Sequence, residues 1–422
     1  MTVGSQIQNL ILNLTNIREH NSIESVFARV IASQLQERAR GMPIVTLTGP
    51  RQSGKTTLAR QVFPEHAYVS LERPDERKFA LEDPLGFLAR FPGSVILDEV
   101  QRAPDLVSYI QVAVDESPVP GRYILTGSSN LLLMEGVSQS LAGRTAILHL
   151  LPLASSELFG SRPLDPWHLD TRLENPTAPE AALWSTLWAG FYPRIHAAGL
   201  DPAQWLGDYQ RTYVERDLRD VLRVVDLDTF ERFMRLVAAR TGQELNLSAL
   251  ATDAGITQPT AKHWLTALRI GFIVTVLTPH HVSFRKRLRK TPRLHFLDTG
   301  LACYLLGIPD AQTLERHPLR GAIFESYVVS ELIKAFENGG HDPPLFFWKD
   351  RAGHEIDALA DLGVRLLPVE AKSGLTLASD AFDGLRFWLD LPGNPNKNGV
   401  LVYAGVESYV RNGITVLPWF LS

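Results

Sequence analysis

Short runs of apolar, β-branched residues, each closed by polar ones, recur through the first third of the chain. Pro43-Ile44-Val45-Thr46-Leu47-Thr48 reads as a buried strand. Ala67-Tyr68-Val69-Ser70-Leu71, Ser94-Val95-Ile96-Leu97, Arg122-Tyr123-Ile124-Leu125-Thr126 and Ala146-Ile147-Leu148-His149-Leu150 repeat the pattern. Helical spacing fills the gaps, from Thr57 to Val62 and from about Pro74 to about Arg90. Strands alternating with helices predict a parallel α/β sheet. Before it, Ile7, Leu10, Ile11 and Leu14, then Ile23, Phe27, Val30 and Ile31, fall at helix spacing, so residues 1–40 are expected to pack as helices on that sheet.

The pattern then changes. Trp184, Trp188, Phe191, Tyr192, Trp205, Tyr209 and Tyr213 lie in helix-like segments and are expected to serve core and interdomain packing. Residues 245–275 read as a helix-turn-helix, with Ser248 capping the first helix, Gly255-Ile256-Thr257 turning, and Pro259 in the first turn of the second. Gly271-Phe272-Ile273-Val274 would open a wing. Gln258, Thr260, Lys262 and His263 are then the candidates for base edges, although this shape also serves protein contact. Arg285-Lys286-Arg287-Leu288-Arg289-Lys290 is the most basic run; it reads either as a phosphate-binding element or as a charged hairpin tip. Near the end, Ala322 to Val329 reads as an amphipathic helix, followed by strands at 344–348, 355–360 and 365–372.

Three places carry chemistry. Gly49-Pro50-Arg51-Gln52-Ser53-Gly54-Lys55-Thr56, between a strand and the helix that Thr57 begins, fits the phosphate-loop pattern without a mismatch. A Gly-bearing loop at a helix N-terminus presents backbone N–H groups to phosphate oxygens. Lys55 adds a point charge and Thr56 a hydroxyl for Mg²⁺. About 45 residues downstream, Asp98 and Glu99 end an apolar strand, where Asp98 can hold Mg²⁺ and Glu99 can take the proton of an attacking water. Ser128 or Asn130 can sense a γ-phosphate from a further strand end, or simply turn the chain. Arg144 can reach that phosphate in its own or a neighbouring subunit, which in the second case needs a homo-oligomer. The third place is Glu325 on its helix with Asp357, Glu370 and Lys372 on strands. Glu370 and Lys372 are two apart and share a face. Converging carboxylates bind Mg²⁺, and the ammonium can stabilise a phosphorane, so Asp357, Glu370 and Lys372 form a candidate catalytic set with Glu325 as a further metal ligand. A solvated edge with a Glu–Lys pair is the plain alternative.

Bulk properties narrow this further. A chain of 422 residues exceeds one compact core, and about three domains are expected. A net charge of -4 gives no global sign of nucleic-acid binding, so any basic surface is local. The single Cys303 excludes an internal disulfide framework and a Cys-based zinc site, which suits the cytoplasm. No apolar run spans a bilayer, and no secretory signal is expected at the N-terminus.

With these residues placed, the chain resembles a family of prokaryotic predicted ATPases that join an AAA-like P-loop domain to a C-terminal domain of uncharacterised function. The resemblance runs through Gly49 to Thr56, Leu97-Asp98-Glu99-Val100-Gln101, Leu125-Thr126-Gly127-Ser128 and Gly143-Arg144. It continues through Glu215-Arg216-Asp217, Leu297-Asp298-Thr299-Gly300-Leu301, Phe324-Glu325, Glu355-Ile356-Asp357 and Glu370-Ala371-Lys372. It implies an AAA/STAND-like P-loop NTPase domain over 1–150, a helical and winged-helix-like segment over 151–316, and a PD-(D/E)XK-like α/β domain over 317–422. ATP rather than GTP, Mg²⁺ and hydrolysis follow from it, with nuclease roles at Glu325, Asp357, Glu370 and Lys372. Two functions remain open: an ATPase driving a DNA-acting, nuclease-bearing C-terminal domain, or a nucleotide switch for protein assembly in which that domain is a non-catalytic module.

Overall fold

The computed structural model describes residues 27–128, 141–171, 177–213, 226–280 and 291–421. The expectations for residues 1–26, Asn130, residues 215–217 and the basic run 285–290 lie outside these residues.

Five strands form the first sheet: β1 (Ile44–Thr48), β2 (Ala67–Ser70), β3 (Val95–Asp98), β4 (Tyr123–Thr126) and β5 (Thr145–His149). Their order is β2-β3-β4-β1-β5 and every pair is parallel. β4 is inserted between β1 and β3, which sets the ends of the three strands side by side. Side chains alternate between the faces. Val45, Leu47, Ile96 and Ile124 pack with α1 (Ala32–Gly41) and α2 (Lys55–Val62). Ile44, Leu97 and Leu125 pack with α3 (Pro74–Glu82), α4 (Pro84–Ala89) and α5 (Leu106–Glu116).

Two expected helices differ. The pattern at Phe27, Val30 and Ile31 precedes the first described helix rather than lying in it, because tertiary bonds hold this stretch. Arg29 donates to the carbonyls of Ser53 (2.7 Å) and Leu151 (2.6 Å), and Glu157 accepts from the Val30 N–H (2.8 Å). The helical run to Arg90 is broken at Pro84, where Asp83 accepts from the Gly86 N–H at 2.9 Å and caps a new helix.

A helical region follows, with α6 (Ser155–Phe159), α7 (Leu183–Ala189), α8 (Pro193–Ala197), α9 (Pro202–Tyr213) and α10 (Leu227–Ala238). After β6 (Gln243–Glu244) come α11 (Leu247–Ala254), a turn at Gly255 with φ 72°, and α12 (Gln258–Ile270). The cap of α11 is Asn246, which accepts from the Ala249 N–H at 3.0 Å, rather than Ser248. Thr257 caps α12. Trp264 packs edge-on against Phe230 and Phe233. β7 (Val274–Pro279) and β8 (Arg293–Phe296) then pair antiparallel.

The C-terminal part contains α13 (Thr299–Leu305), α14 (Ala311–Arg316), α15 (Arg320–Asn338), β9 (Leu345–Lys349), β10 (Glu355–Asp361), β11 (Leu366–Lys372), α16 (Asp383–Leu389), β12 (Gly399–Tyr403), β13 (Tyr409–Arg411) and β14 (Ile414–Pro418). Parallel pairing of β7 with β9 fuses everything from β6 onward into one mixed nine-stranded sheet, ordered β13-β14-β12-β11-β10-β9-β7-β8-β6. The helix carrying Glu325 is not a surface helix. Its first turn is exposed, but from Ile323 to Asn338 it is largely buried, and polar residues there find partners inside. Lys334 Nζ donates to Glu331 (2.9 Å) and to the Leu153 carbonyl (2.9 Å), while Glu331 accepts from Ser155 N (2.8 Å) and Oγ (2.7 Å).

At the C-terminal end of α15, Glu337 lines a cavity of about 440 Å³ with Leu151, Arg269, Phe272 and Leu345. Burial, reinforced by the charge of Asp342, raises its carboxyl from 4.5 to about 8. The folded state therefore takes up a proton that the unfolded state releases. Stability from the neutral form is complete below pH 4.5 and is lost as pH rises towards 8. Glu337→Gln is expected to flatten stability against pH across that window, read as urea midpoints at a series of pH values.

Candidate nucleotide site and the C-terminal carboxylates

The phosphate loop sits at the end of β1 and enters α2 at Lys55. Gly49 has φ 147°, and a Cβ there would lie 2.2 Å from the Leu150 carbonyl oxygen, so β5 leaves room for glycine alone. Gln52 (φ 64°) and Gly54 (φ 94°) adopt left-handed backbone, which curls the loop. No side chain caps the start of α2, and the Ser53 hydroxyl is buried with no hydrogen-bond partner. Lys55 is buried, and its ammonium donates to the carbonyls of Gly49 (3.0 Å) and Pro50 (2.7 Å). Uncapped N–H groups, an orphaned hydroxyl and a buried ammonium around one loop form an anion site.

Asp98, at the end of β3, is the hub of the neighbouring polar cluster. Its Oδ1 accepts from the Thr56 hydroxyl at 2.8 Å and from the Thr126 hydroxyl, and its Oδ2 accepts from the Tyr68 hydroxyl at 3.0 Å. Glu99 follows with left-handed backbone (φ 58°), a conformation that costs a non-glycine residue about 1–3 kcal/mol and turns the carboxylate out of the strand direction. Burial holds its carboxyl above the ordinary pKa of 4.5. The positive charge of Lys55 opposes that shift, and Asp98 adds to it. Gln101 Nε2 donates to Glu99 and, at 3.0 Å, to the Ser128 hydroxyl, joining the expected base to the expected sensor. Thr57 is exposed at the rim of a cavity of about 160 Å³ lined by Phe27, Arg29, Gln52, Gly54 and Arg194.

The fold thus brings Gly49 to Thr57, Asp98, Glu99 and Ser128 to one end of the sheet, the carboxyl ends of its strands. Arg144 is engaged elsewhere: its Nε and Nη2 donate to both carboxylate oxygens of Asp115 on α5, at 2.5 and 2.8 Å. Sequence reasoning missed Tyr68, and it gave Gln101 and Thr126 no role. Thr126 ends β4 and Gln101 follows β3 directly, so both had a positional signal, whereas Tyr68 lies within β2 and reaches Asp98 only across the sheet.

The C-terminal candidates also converge. Asp357 on β10 lies one step beyond the Ala358–Val369 pair with β11, opposite Glu370. Asp357 Oδ2 accepts from the Ala371 N–H at 2.9 Å, and Lys372 Nζ donates to Glu370 at 3.2 Å. Burial, with the charge of Asp357 second, holds the carboxyls of Glu325 and Glu370 well above the usual range. A residue outside the sequence expectations sits among them. Arg293, from β8, donates from Nη1 to Glu325 at 2.9 Å and from Nη2 to Glu355 at 2.8 Å, with Nη1 3.5 Å from Asp357 Oδ1. Its guanidinium lies over the Phe347 ring, 4.9 Å from the centroid. Among the described residues, no three His, Cys, Asp or Glu side chains form a group able to hold a metal ion. None of the described helices is long and apolar enough to cross a membrane.

Comparison with known proteins agrees with the N-terminal geometry. Residues 41–159 match the family model described as an AAA domain. Residues 180–312 and 320–421 match two families described as domains of unknown function, DUF8612 and DUF4143. The chain is 33% identical over 348 residues to the uncharacterized proteins Rv2008c of Mycobacterium tuberculosis and Mb2031c of Mycobacterium bovis, covering 82% of this chain and 73% of each relative. Among solved structures it is similar to the Walker-type ATPase PABY2304 of Pyrococcus abyssi, at 15% identity and TM-score 0.43, over 67% of this chain and 97% of that one. It is also similar to the RuvB Holliday junction branch migration motor of Thermotoga maritima, at 18% identity and TM-score 0.31, over 61% and 92%.

Proposed function

Because the chain belongs to the family of the mycobacterial proteins Rv2008c and Mb2031c and carries an AAA-like P-loop ATPase domain, we propose that it hydrolyses ATP with Mg²⁺ and passes the resulting motion to regions that act on DNA. The observation that carries this is the Asp98 hub, which gathers the Thr56 and Thr126 hydroxyls beside Lys55 and Glu99. The donors suit the ligands: uncapped N–H groups and an orphaned Ser53 hydroxyl for phosphate oxygens, and a hydroxyl with a carboxylate for Mg²⁺. The ion supplies charge neutralisation on the phosphates. Lys55 holds the β/γ-phosphate charge, Thr56 and Asp98 hold the cation, and Glu99 orients the attacking water and takes its proton. Ser128, held by Gln101, reads the γ-phosphate. The cavity at Phe27 and Arg29 takes the base and sugar. Arg144 serves as a finger only once released from Asp115, in its own subunit or across a homo-oligomer.

The route outward runs from Thr48, whose hydroxyl lies 2.8 Å from His149 Nδ1, to Phe272, whose ring packs 5.0 Å from the His149 ring at the approach to β7. β7 follows α12, where Gln258, Lys262 and His263 are exposed and Thr260 is half-buried, as a winged-helix recognition element requires. The third region reads as PD-(D/E)XK-like, with Asp357, Glu370 and Lys372 as its site. The alternative, a nucleotide switch for protein assembly with a non-catalytic C-terminal module, is favoured by one observation, the Arg293 guanidinium among those carboxylates.

The test is ATP turnover measured against duplex DNA at several salt concentrations. DNA is expected to stimulate turnover, with an affinity whose logarithm falls linearly with the logarithm of salt concentration. Turnover indifferent to DNA, with a nucleotide-dependent change in size, would instead identify the assembly switch.

A further inference from the structure

We infer that Arg293 is a built-in cation. Its guanidinium fills the carboxylate cluster in which a PD-(D/E)XK-like site would hold a divalent ion, and it keeps that ion out. The inference rests on the PD-(D/E)XK-like reading of the C-terminal region given above.

The carboxylates that would ligate a metal are already engaged. Asp357 Oδ1 lies 3.5 Å from Arg293 Nη1 and its Oδ2 accepts from Ala371 N, so a cation at Asp357 would have to share the space and charge that the guanidinium already occupies. Glu325 accepts from Arg293, and Glu370 from Lys372. Mg²⁺ needs near-octahedral oxygen ligands at about 2.0–2.1 Å and keeps several waters. The space beside Asp357 is taken by a planar five-donor fork with the Phe347 ring on its face, and Arg293 is only 4% exposed.

The arginine cannot easily leave. β8 lies between β7 and β6 in the nine-stranded sheet, and its Leu294 and Phe296 are fully buried, so Arg293 is anchored from both sides. A guanidinium does not lose its proton in a protein, so pH does not release it. The cluster works instead as a latch. One side chain of β8 ties α15 through Glu325 and β10 through Glu355 and Asp357, and so binds the α12–β8 region to the C-terminal strands as one body. The C-terminal region is then a nuclease-like frame whose carboxylate cluster is closed by an arginine, not a metal-dependent nuclease.

The test uses Mn²⁺ as the probe, on the full chain without nucleotide, by electron paramagnetic resonance and by thermal melting. Wild type is expected to hold no Mn²⁺ that depends on Asp357. Arg293→Met is expected to gain one site, with affinity at least about tenfold above wild type, and to lose it again when Asp357→Asn is added. Arg293→Gln keeps polar contacts without the charge and serves as the second variant should Arg293→Met not fold. A wild-type Mn²⁺ site abolished by Asp357→Asn would overturn the proposal. So would a folded Arg293 variant that gains no Mn²⁺, since the guanidinium would then not be what excludes the ion. ATP turnover on the same proteins keeps the two readings apart: loss of turnover in wild type speaks against the ATPase reading, and Mn²⁺ binding speaks only to the latch.

Discussion

Glu99→Gln slows ATP hydrolysis by about 10²–10⁴-fold while ATP still binds. The amide keeps the size of the side chain and its contact with Gln101 but cannot accept a proton from water. The groups proposed to hold phosphate and Mg²⁺ (Lys55, Thr56 and Asp98) are untouched, so affinity is expected to survive. Burial, opposed by Lys55, raises the pKa of Glu99, which brings the base nearer to neutrality. The ionised carboxylate is the active form, so the wild-type rate is expected to fall on acidification at a pH above the ordinary 4.5 of a glutamate. Single-turnover hydrolysis of preloaded ATP, alongside equilibrium nucleotide binding, measures both halves. Equal loss of binding and turnover would make Glu99 a structural residue.

The largest effect on stability is expected at the buried Lys334–Glu331 pair. Lys334→Met destabilises by about 3–5 kcal/mol, because it leaves the Glu331 carboxylate buried without its counter-charge. Both side chains are almost fully buried. Lys334 also donates to the Leu153 carbonyl and lies 4.2 Å from the centroid of the Phe191 ring, so three partners lose their cation together. Glu331 would keep its bonds from Ser155, which join α15 to the chain leaving β5. Replacing the whole pair, as Lys334→Met with Glu331→Leu, is expected to recover part of the loss by removing the stranded charge, although Ser155 then loses its acceptor. Urea unfolding of the two variants beside wild type reads the difference. A single variant as stable as wild type would show that the pair carries no net stabilisation.

The N-terminal sheet was legible because buried parallel strands are written as continuous apolar runs, and each of its five runs became a strand. The loop from Gly49 to Thr56 was legible because its chemistry is local: glycines, a lysine and a threonine within one turn. Asp98 was placed correctly, but its partners Tyr68 and Thr126 were not foreseen. They come from neighbouring strands, and strand order is a tertiary property. The same limit explains Arg293. On the page it is one more arginine after a basic run, and only the pairing of β7 with β9 brings β8 beside Asp357 and Glu325. The burial of α15 exceeds that of the amphipathic helix expected over 322–329 for a related reason. Ser326, Ser330, Glu331 and Lys334 suggest a solvent face until their buried partners, some more than 170 residues away in the chain, are known. The Asp298-Thr299-Gly300-Leu301 stretch, seen in sequence only as a family signature, is a junction. Asp298 accepts from the Leu301 and Phe191 N–H groups, and Gly300 packs against the backbone of Ala189 and Gly190.

The central claim is that the Gly49–Thr56 loop and the Asp98 hub form an ATP-hydrolysing site. Steady-state phosphate release from ATP, with Mg²⁺ and with the ion removed by EDTA, tests it most directly when wild type is set beside Lys55→Ala. The account predicts Mg²⁺-dependent release by wild type and at least about a hundredfold loss in the variant. Release that persists unchanged in Lys55→Ala would contradict it.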